Sequence, residues 1–253
     1  MKEKRLEHMS PLIMALDTSD LDEARRLADQ VRPCVDIVKI GLQLFLTAGI
    51  GAVEALRGDG FEIFLDIKMM DIPNTVSSAC LALCEHEPLM LTLHTLGGQE
   101  MMRAATQAVR EHCEAGGISR PLLIGVTVLT SFDLLALKKI GVHESIEEQV
   151  VRLAKLARDS GLDGLVSSPL ETLLVRREVG AGMILITPGV RLPGSGTDDQ
   201  KRVATPADAM KSGADYLVVG RPLYRAKDPL GVARQMLEDA RGGPADGAGE
   251  SNG

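Results

Sequence analysis

Short apolar runs recur along this chain, separated by stretches in which apolar residues return at helical spacing. A continuous or alternating apolar run marks a strand, and a 3.6-residue period marks a helix. On that basis strands are predicted over 11–17, 35–41, 61–68, 90–96, 122–129, 164–168, 183–188 and 216–220. Helices are predicted between them over 21–31, around 51–57, over 75–87, 99–115, 146–160 and 169–178, near 206–212, and finally over 230–240. Eight strand–helix units in succession fit a single (β/α)8 TIM barrel over 11–241, its continuous apolar strands buried on both faces. An open doubly wound sheet is the alternative. Such sheets carry a glycine-rich fingerprint after the first strand, whereas this chain reads Asp17-Thr18-Ser19-Asp20 there. Residues 1–10 form a charged extension without an apolar signal core. Residues 242–253 are small and polar and are expected to be disordered.

In a barrel of this kind the chemistry sits at the C-terminal ends of the strands. The polar residues at those positions are Asp17, Lys39, Asp66, Lys68, His94, Thr130, Ser131, Ser167, Ser168, Arg191 and Arg221. Asp66 to Asp71 spell D-x-K-x-x-D where the third apolar run stops. Alternate residues of a strand share a face, so Asp66 and Lys68 are expected to project the same way. Asp71 falls in the following loop, closed by Ile72-Pro73-Asn74-Thr75. An ammonium held between carboxylates stays protonated, and such a group can stabilise an anion and then give it a proton. Two acids and two bases among Asp17, Lys39, Asp66 and Lys68 make a neutral alternating network possible. A solvated salt-bridge cluster is the plainer alternative, but charges within apolar runs are a costly route to stability. The glycine-rich segment 187–202 and Val219-Gly220-Arg221-Pro222 sit where barrels bind phosphate, with backbone N–H groups and an arginine.

Composition narrows the partners. A net charge of −7 with no Lys/Arg block argues against nucleic acid or an anionic membrane. With no Trp, two Tyr and four Phe, the chain lacks a stacking platform for single strands and must build an aliphatic core. No run approaches the length of a membrane helix. Cys34, Cys80, Cys84 and Cys113 lack metal-ligand spacing; Cys80 and Cys84, four apart in a predicted helix, read as two buried small residues, and the protein as one of a reducing, cytoplasmic compartment. His94 reads as a hydrogen-bonded interior histidine, while His86, His112 and His143 read as solvated.

The chain resembles the orotidine 5′-phosphate decarboxylases over nearly all of 11–240. The family hallmark D-x-K-x-x-D-I-P-N-T stands here as DIKMMDIPNT, from Asp66 to Thr75. Ala15-Leu16-Asp17, Val38 to Gly41, His94 with Gly97 and Gly98, and Val126 to Ser131 match further family segments. Thr187 to Arg191, Asp199-Gln200 and Val219 to Pro222 match its phosphate elements. The resemblance implies cofactor-free, metal-free decarboxylation of orotidine 5′-monophosphate in a homodimer with shared sites. Lys68 would donate the proton, within an array of Asp66, Lys39 and the other subunit's Asp71, with Ile72 and Thr75 beside that aspartate. Asp17 and Lys39 would hold the ribose, Thr130 or Ser131 the pyrimidine, and Arg191, Gln200, Gly220 and Arg221 the phosphate. Magnesium-dependent sugar-phosphate lyases resembling 3-keto-L-gulonate 6-phosphate decarboxylase share the barrel and the motif. They carry an acidic metal ligand where this chain has Lys39, and a lysine repels a divalent cation. A phosphate-sensing barrel without turnover is the non-enzymatic rival.

Overall fold

The computed structural model describes residues 6, 8–192 and 203–242. Eight parallel strands close into a barrel in sequence order. They are β1 (Leu12–Leu16), β2 (Ile37–Gly41), β3 (Glu62–Met69), β4 (Met90–His94), β5 (Leu122–Val126), β6 (Gly164–Val166), β7 (Ile184–Pro188) and β8 (Tyr216–Val219). Closure comes from β1, which pairs with both β2 and β8. The helices are α1 (Leu21–Gln30), α2 (Leu42–Ala48), α3 (Ile50–Gly58), α4 (Pro73–Cys84), α5 (Gly98–Gly116), α6 (Leu134–Lys139), α7 (Ile146–Asp159), α8 (Pro169–Val179), α9 (Pro206–Lys211), α10 (Arg221–Tyr224) and α11 (Pro229–Ala240).

Local chemistry starts these helices where the chain leaves the barrel. The Asp20 carboxylate accepts the Asp22 and Glu23 amides at the head of α1. Ser145 and Glu148 form a reciprocal capping box on α7, and Ser168 caps α8 by accepting the Leu170 amide. Proline opens α4, α8 and α9, where its missing N–H costs no helical hydrogen bond. The helix expected around 51–57 is α3, and a further short helix, α2, precedes it, the two separated at Gly49, whose φ of 59° favours glycine. The helix α6 was not legible in the pattern, because six residues carry too little periodicity to register.

Strand residues alternate between two apolar layers. Ile13, Ile37, Phe64, Met90, Ile124 and Ile186 fill the barrel interior. Leu12, Met14, Val38, Leu65, Leu91 and Leu185 face the helical shell. Because both faces are buried, the strands read as unbroken apolar runs. Several predicted strands overran their ends. The ladders of β4, β5 and β6 stop at His94, Val126 and Val166. Val128 is buried outside the ladder, in the wall of a cavity at the barrel mouth, which accounts for the apolar tail of that run. At the opposite end Leu6 and Met9 pack on the inner cluster, and the Tyr216 hydroxyl donates to the Leu6 carbonyl at 3.2 Å. Part of the charged extension therefore docks on the barrel. Residues 243–253, expected to be disordered, lie outside the described residues.

Gly164 shows how tightly the inner layer is packed. A Cβ there would meet the Ile184 carbonyl oxygen at 2.5 Å and Ile184 Cβ at 2.9 Å. Backbone cannot yield as a flexible side chain can. Gly164→Ala is expected to cost about 2–3 kcal/mol in urea unfolding. Gly58→Ala, which faces open space at the end of α3, should stay within about 0.5 kcal/mol of the parent or exceed it.

Candidate active site

Four charged side chains meet at the C-terminal mouth of the barrel in alternating order. Lys39 Nζ lies 3.7 Å from Asp17 Oδ1 and 3.3 Å from Asp66 Oδ2. Lys68 Nζ donates to the other Asp66 oxygen, Oδ1, at 2.8 Å. Asp66 thus bridges two ammonium groups with its two oxygens. The side chains of Lys39 and Asp66 are each 11% exposed, while those of Asp17 and Lys68 at the two ends are 48% and 33% exposed, so the middle of the series is the part withdrawn from solvent.

Burial and charge oppose each other here, and charge wins. Burial alone would push the Asp66 carboxyl up, but Lys39 and Lys68 outweigh it and hold the carboxyl below its ordinary 3.8. Burial alone would push Lys39 down, but Asp66 and Asp17 hold it above its ordinary 10.5. Both groups are therefore ionised at neutral pH. Buried ion pairs of this kind contribute little net stability against apolar packing. The cluster is better explained by chemistry than by folding.

The backbone delivers these groups in two ways. Lys39 comes from a regular stretch, with Gly41 just beyond it. A Cβ on Gly41 would lie 3.3 Å from Lys39 Nζ, so glycine leaves the ammonium its room. Lys68 comes from an irregular one. The pairing of β3 with β4 runs Leu65 to Leu91 and then Met69 to Leu93, so four steps on β3 oppose two on β4. Within this bulge Lys68 has a φ of 51°, a left-handed conformation costing a non-glycine residue roughly 1–2 kcal/mol. Its amide leaves the ladder and donates to Thr92 Oγ1 at 2.8 Å. Asp66 and Lys68 do meet as expected, but through a bulge and not through simple alternation. Thr92 was missed in the sequence. Its signal was a polar residue inside an apolar strand, where burial demands a partner.

A cavity of about 210 Å³ opens over this cluster, lined by Lys39, Phe64, Asp66, Lys68, Thr130 and a wall of aliphatic side chains. Between the two candidates for one contact, Thr130 lines the cavity and Ser131 is exposed outside it. Ser168 also reaches the lining, while Ser167 is buried outside it. Gly220 closes on Asp17: a Cβ there would sit 3.2 Å from Asp17 Oδ2. Arg191 is buried and donates to the Val190 carbonyl at 2.8 Å, and Arg221 opens the short helix α10. Gln200 lies outside the described residues. Asp71, Ile72 and Thr75 are exposed, and among the described residues no ion pair joins Asp71 to Lys68. The Asp71 carboxylate instead accepts its neighbour's amide, Ile72 N, at 2.6 Å.

His94 ends β4 with its Nδ1 accepting the Leu96 amide at 3.3 Å. Burial first, and the Lys68 charge second, hold its pKa below 6.5, which suits a neutral structural ring. His86 and His112 are not simply solvated, since they contact Glu54 and Glu85. A wider depression of about 900 Å³ lies at the other end of the barrel, around Leu6, Met9, Arg120, Asp163, Asp215 and Tyr216. Its charges are paired, Arg120 with Asp163 and Asp215 with Arg176, and it lies away from the C-terminal strand ends. No group of three or more His, Cys, Asp or Glu side chains among the described residues is placed to hold a metal ion. None of the described helices is long and apolar enough to cross a membrane.

Comparison with known proteins places this geometry in context. Residues 10–236 match the orotidine 5′-phosphate decarboxylase / HUMPS family. A curated orotidine 5′-phosphate decarboxylase of Trichlorobacter lovleyi is 46% identical over 235 residues, covering 93% of this chain and 97% of that protein. One from Chromobacterium violaceum is 45% identical, covering 91% of each. The crystal structure of orotidine 5′-phosphate decarboxylase from Lactobacillus acidophilus superposes with a TM-score of 0.79 at 34% identity, covering 91% of this chain and 99% of that one.

The electrostatics give a pH dependence. A carboxyl whose folded pKa lies below its unfolded one stabilises the fold above the unfolded value, and that contribution is lost as pH falls through the folded value. Asp66→Asn leaves two ammonium groups facing each other. It should cost roughly 2–4 kcal/mol at pH 7, less than a fully buried pair because Lys68 reaches solvent. Urea unfolding should show the gap between parent and variant constant down to about pH 4 and narrowing below 3.8. A gap independent of pH would show that Asp66 acts through shape alone.

Proposed function

The chain belongs to the orotidine 5′-phosphate decarboxylase / HUMPS family and is a carboxy-lyase that converts orotidine 5′-monophosphate to uridine 5′-monophosphate in pyrimidine synthesis; we propose that Lys68, held by Asp66, carries out the proton transfer without metal or organic cofactor. The observation that carries this reading is the alternating sequence Asp17, Lys39, Asp66, Lys68 at the floor of the cavity. Breaking the bond from C6 of the pyrimidine to its carboxylate releases CO₂ and leaves the electron pair on C6. That pair lies in the ring plane, where the ring cannot delocalise it. An ammonium fixed in a largely apolar wall stabilises such charge more than water does, because it needs no reorientation. Lys68 then gives C6 a proton and regains one from solvent. Asp66 lies beside the departing carboxylate and holds Lys68 in place.

The remaining contacts follow from position. Asp17 and Lys39 take the ribose hydroxyls and Thr130 the pyrimidine edge. Arg191, Gln200, Gly220 and Arg221 take the phosphate. The cavity is smaller than the about 300–1,000 Å³ of whole-ligand pockets. It houses the base end of the nucleotide and leaves the phosphate at the ends of β7 and β8. Phosphate contacts far from C6 supply binding energy that offsets the strain of crowding two carboxylates together. Four free cysteines, all buried, suit a cytoplasmic protein.

A second copy of the chain completes the site in this reading. Asp71 makes no ion pair with its own Lys68, and exposed apolar residues recur on the segments that follow β2, β3 and β4. Leu46 is 78% and Ile72 66% exposed, with Leu42, Met70 and Leu96 also uncovered. A two-fold dimer would bury this band and carry Asp71, Ile72 and Thr75 to the partner's cavity.

The direct test follows the ultraviolet absorbance of orotidine 5′-monophosphate as it is consumed. Turnover should persist after exhaustive treatment with EDTA, and Lys68→Ala should lower it about 10²–10⁴-fold with the fold intact. Recovery only with Mg²⁺ would move the assignment to the sugar-phosphate lyases. A Lys68→Ala enzyme within tenfold of the parent would remove Lys68 as donor.

Mixing tests the shared site. Lys68→Ala and Asp71→Ala subunits, each inactive alone, should regain activity after exchange, since one site of each mixed dimer inherits neither defect. With random re-pairing of an equal mixture, about a quarter of all sites become wild-type. No recovery after verified exchange would assign Asp71 to its own subunit.

A further inference from the structure

Lys68 holds its position through an unusual piece of backbone, and one side chain outside the ion cluster sustains it. We propose that Thr92 is a positioning residue: its hydroxyl holds the left-handed turn at Lys68 and so aims the Lys68 ammonium at Asp66 and the reacting carbon. This rests on the assignment of Lys68 as proton donor. Thr92 sits in the middle of β4, fully buried among Met90, Leu91 and Leu93. A hydroxyl in such a place is costly unless it makes a hydrogen bond. Its partner is the Lys68 amide, at 2.8 Å.

The contact answers a need that the bulge creates. Four steps of β3 face two of β4, so the Lys68 amide has no carbonyl opposite it in the ladder. An amide stranded there would be orphaned inside the barrel. Relaxing Lys68 from a φ of 51° to an extended conformation would relieve that strain. Because Cβ turns with φ, that change would also swing the side chain out of its 2.8 Å contact with Asp66. Asp66 itself is anchored independently, in regular register with Gly41 of β2. Loss of the Thr92 hydroxyl should therefore displace Lys68 while leaving Asp17, Lys39 and Asp66 in place. The expected signature is a loss in kcat with KM little changed.

Two substitutions separate the hydroxyl from the packing. Thr92→Val keeps the volume and removes the acceptor, whereas Thr92→Ser keeps the acceptor and loses a methyl group. Thr92→Val should lower kcat about 10–100-fold with KM within about threefold, and Thr92→Ser should stay within about threefold of the parent in both. Amide hydrogen exchange reads the contact without substrate. The Lys68 amide should exchange at least about tenfold faster in Thr92→Val, with the Leu91 and Leu93 amides unchanged. Because exchange needs no turnover, a parent enzyme inert towards orotidine 5′-monophosphate would overturn the functional reading and leave the positioning contact still measurable. Should Thr92→Val fail to fold, Thr92→Cys, a similar size with a weaker acceptor, gives the same exchange readout. Parent-like Lys68 exchange in the substituted protein, or a Thr92→Ser enzyme as slow as Thr92→Val, overturns the proposal.

Discussion

Everything at the mouth of this barrel depends on one carboxylate held between two ammonium groups. Asp66 is almost wholly withdrawn from water, and burial alone would push its carboxyl up. Lys39 and Lys68, one on each oxygen, keep it ionised. Lys39 in turn stays charged because Asp17 and Asp66 outweigh its burial. Each charge in the series is tolerated because of its neighbours, so no member can be exchanged without altering the others. Such a cluster adds little to stability. It does supply a fixed positive charge in a place where water cannot reorganise around a developing anion, which is what cofactor-free decarboxylation would demand.

The fold meets the cost of that arrangement with ordinary means. The floor beneath the charges is mostly aliphatic, with Phe64 the largest of its fully buried side chains. Gly41 and Gly220 withhold a side chain where one would press on Lys39 or Asp17. The bulge in β3 re-aims a single residue, and Thr92 takes the hydrogen bond the bulge leaves open. The two ends of the barrel consequently divide their tasks. At one end ionisable groups gather over a small cavity. At the other, ion pairs such as Arg120 with Asp163 and the docked residues Leu6 and Met9 close the cylinder.

Function and family were legible before any coordinates because chemistry of this kind is written in local strings. D-x-K-x-x-D with I-P-N-T behind it, Ala15-Leu16-Asp17 and Val219-Gly220-Arg221-Pro222 each occupy a few consecutive positions. They fall in the order that eight strand ends impose. Whether Thr130 or Ser131 lines the cavity was not legible. The two are adjacent, equally polar, and separated only by the way the turn after β5 points them.

By itself the sequence determined the barrel, its eight-unit rhythm, the candidate charges and the aliphatic core, since periodicity and residue type carry that information along the chain. The tertiary structure decided the rest. It added α2 ahead of the predicted helix α3, with Gly49 between them, where a positive φ changes direction without changing the apolar pattern. It ended β5 at Val126 and turned Val128 into cavity wall, because burial against a ligand space and burial in a ladder select the same side chains. It left Asp71 exposed, without an ion pair to its own Lys68, and it joined Thr92 to a lysine 24 residues earlier. Contacts of that kind depend on which strand lies beside which and in what register, and no stretch of local sequence encodes a distance between strands.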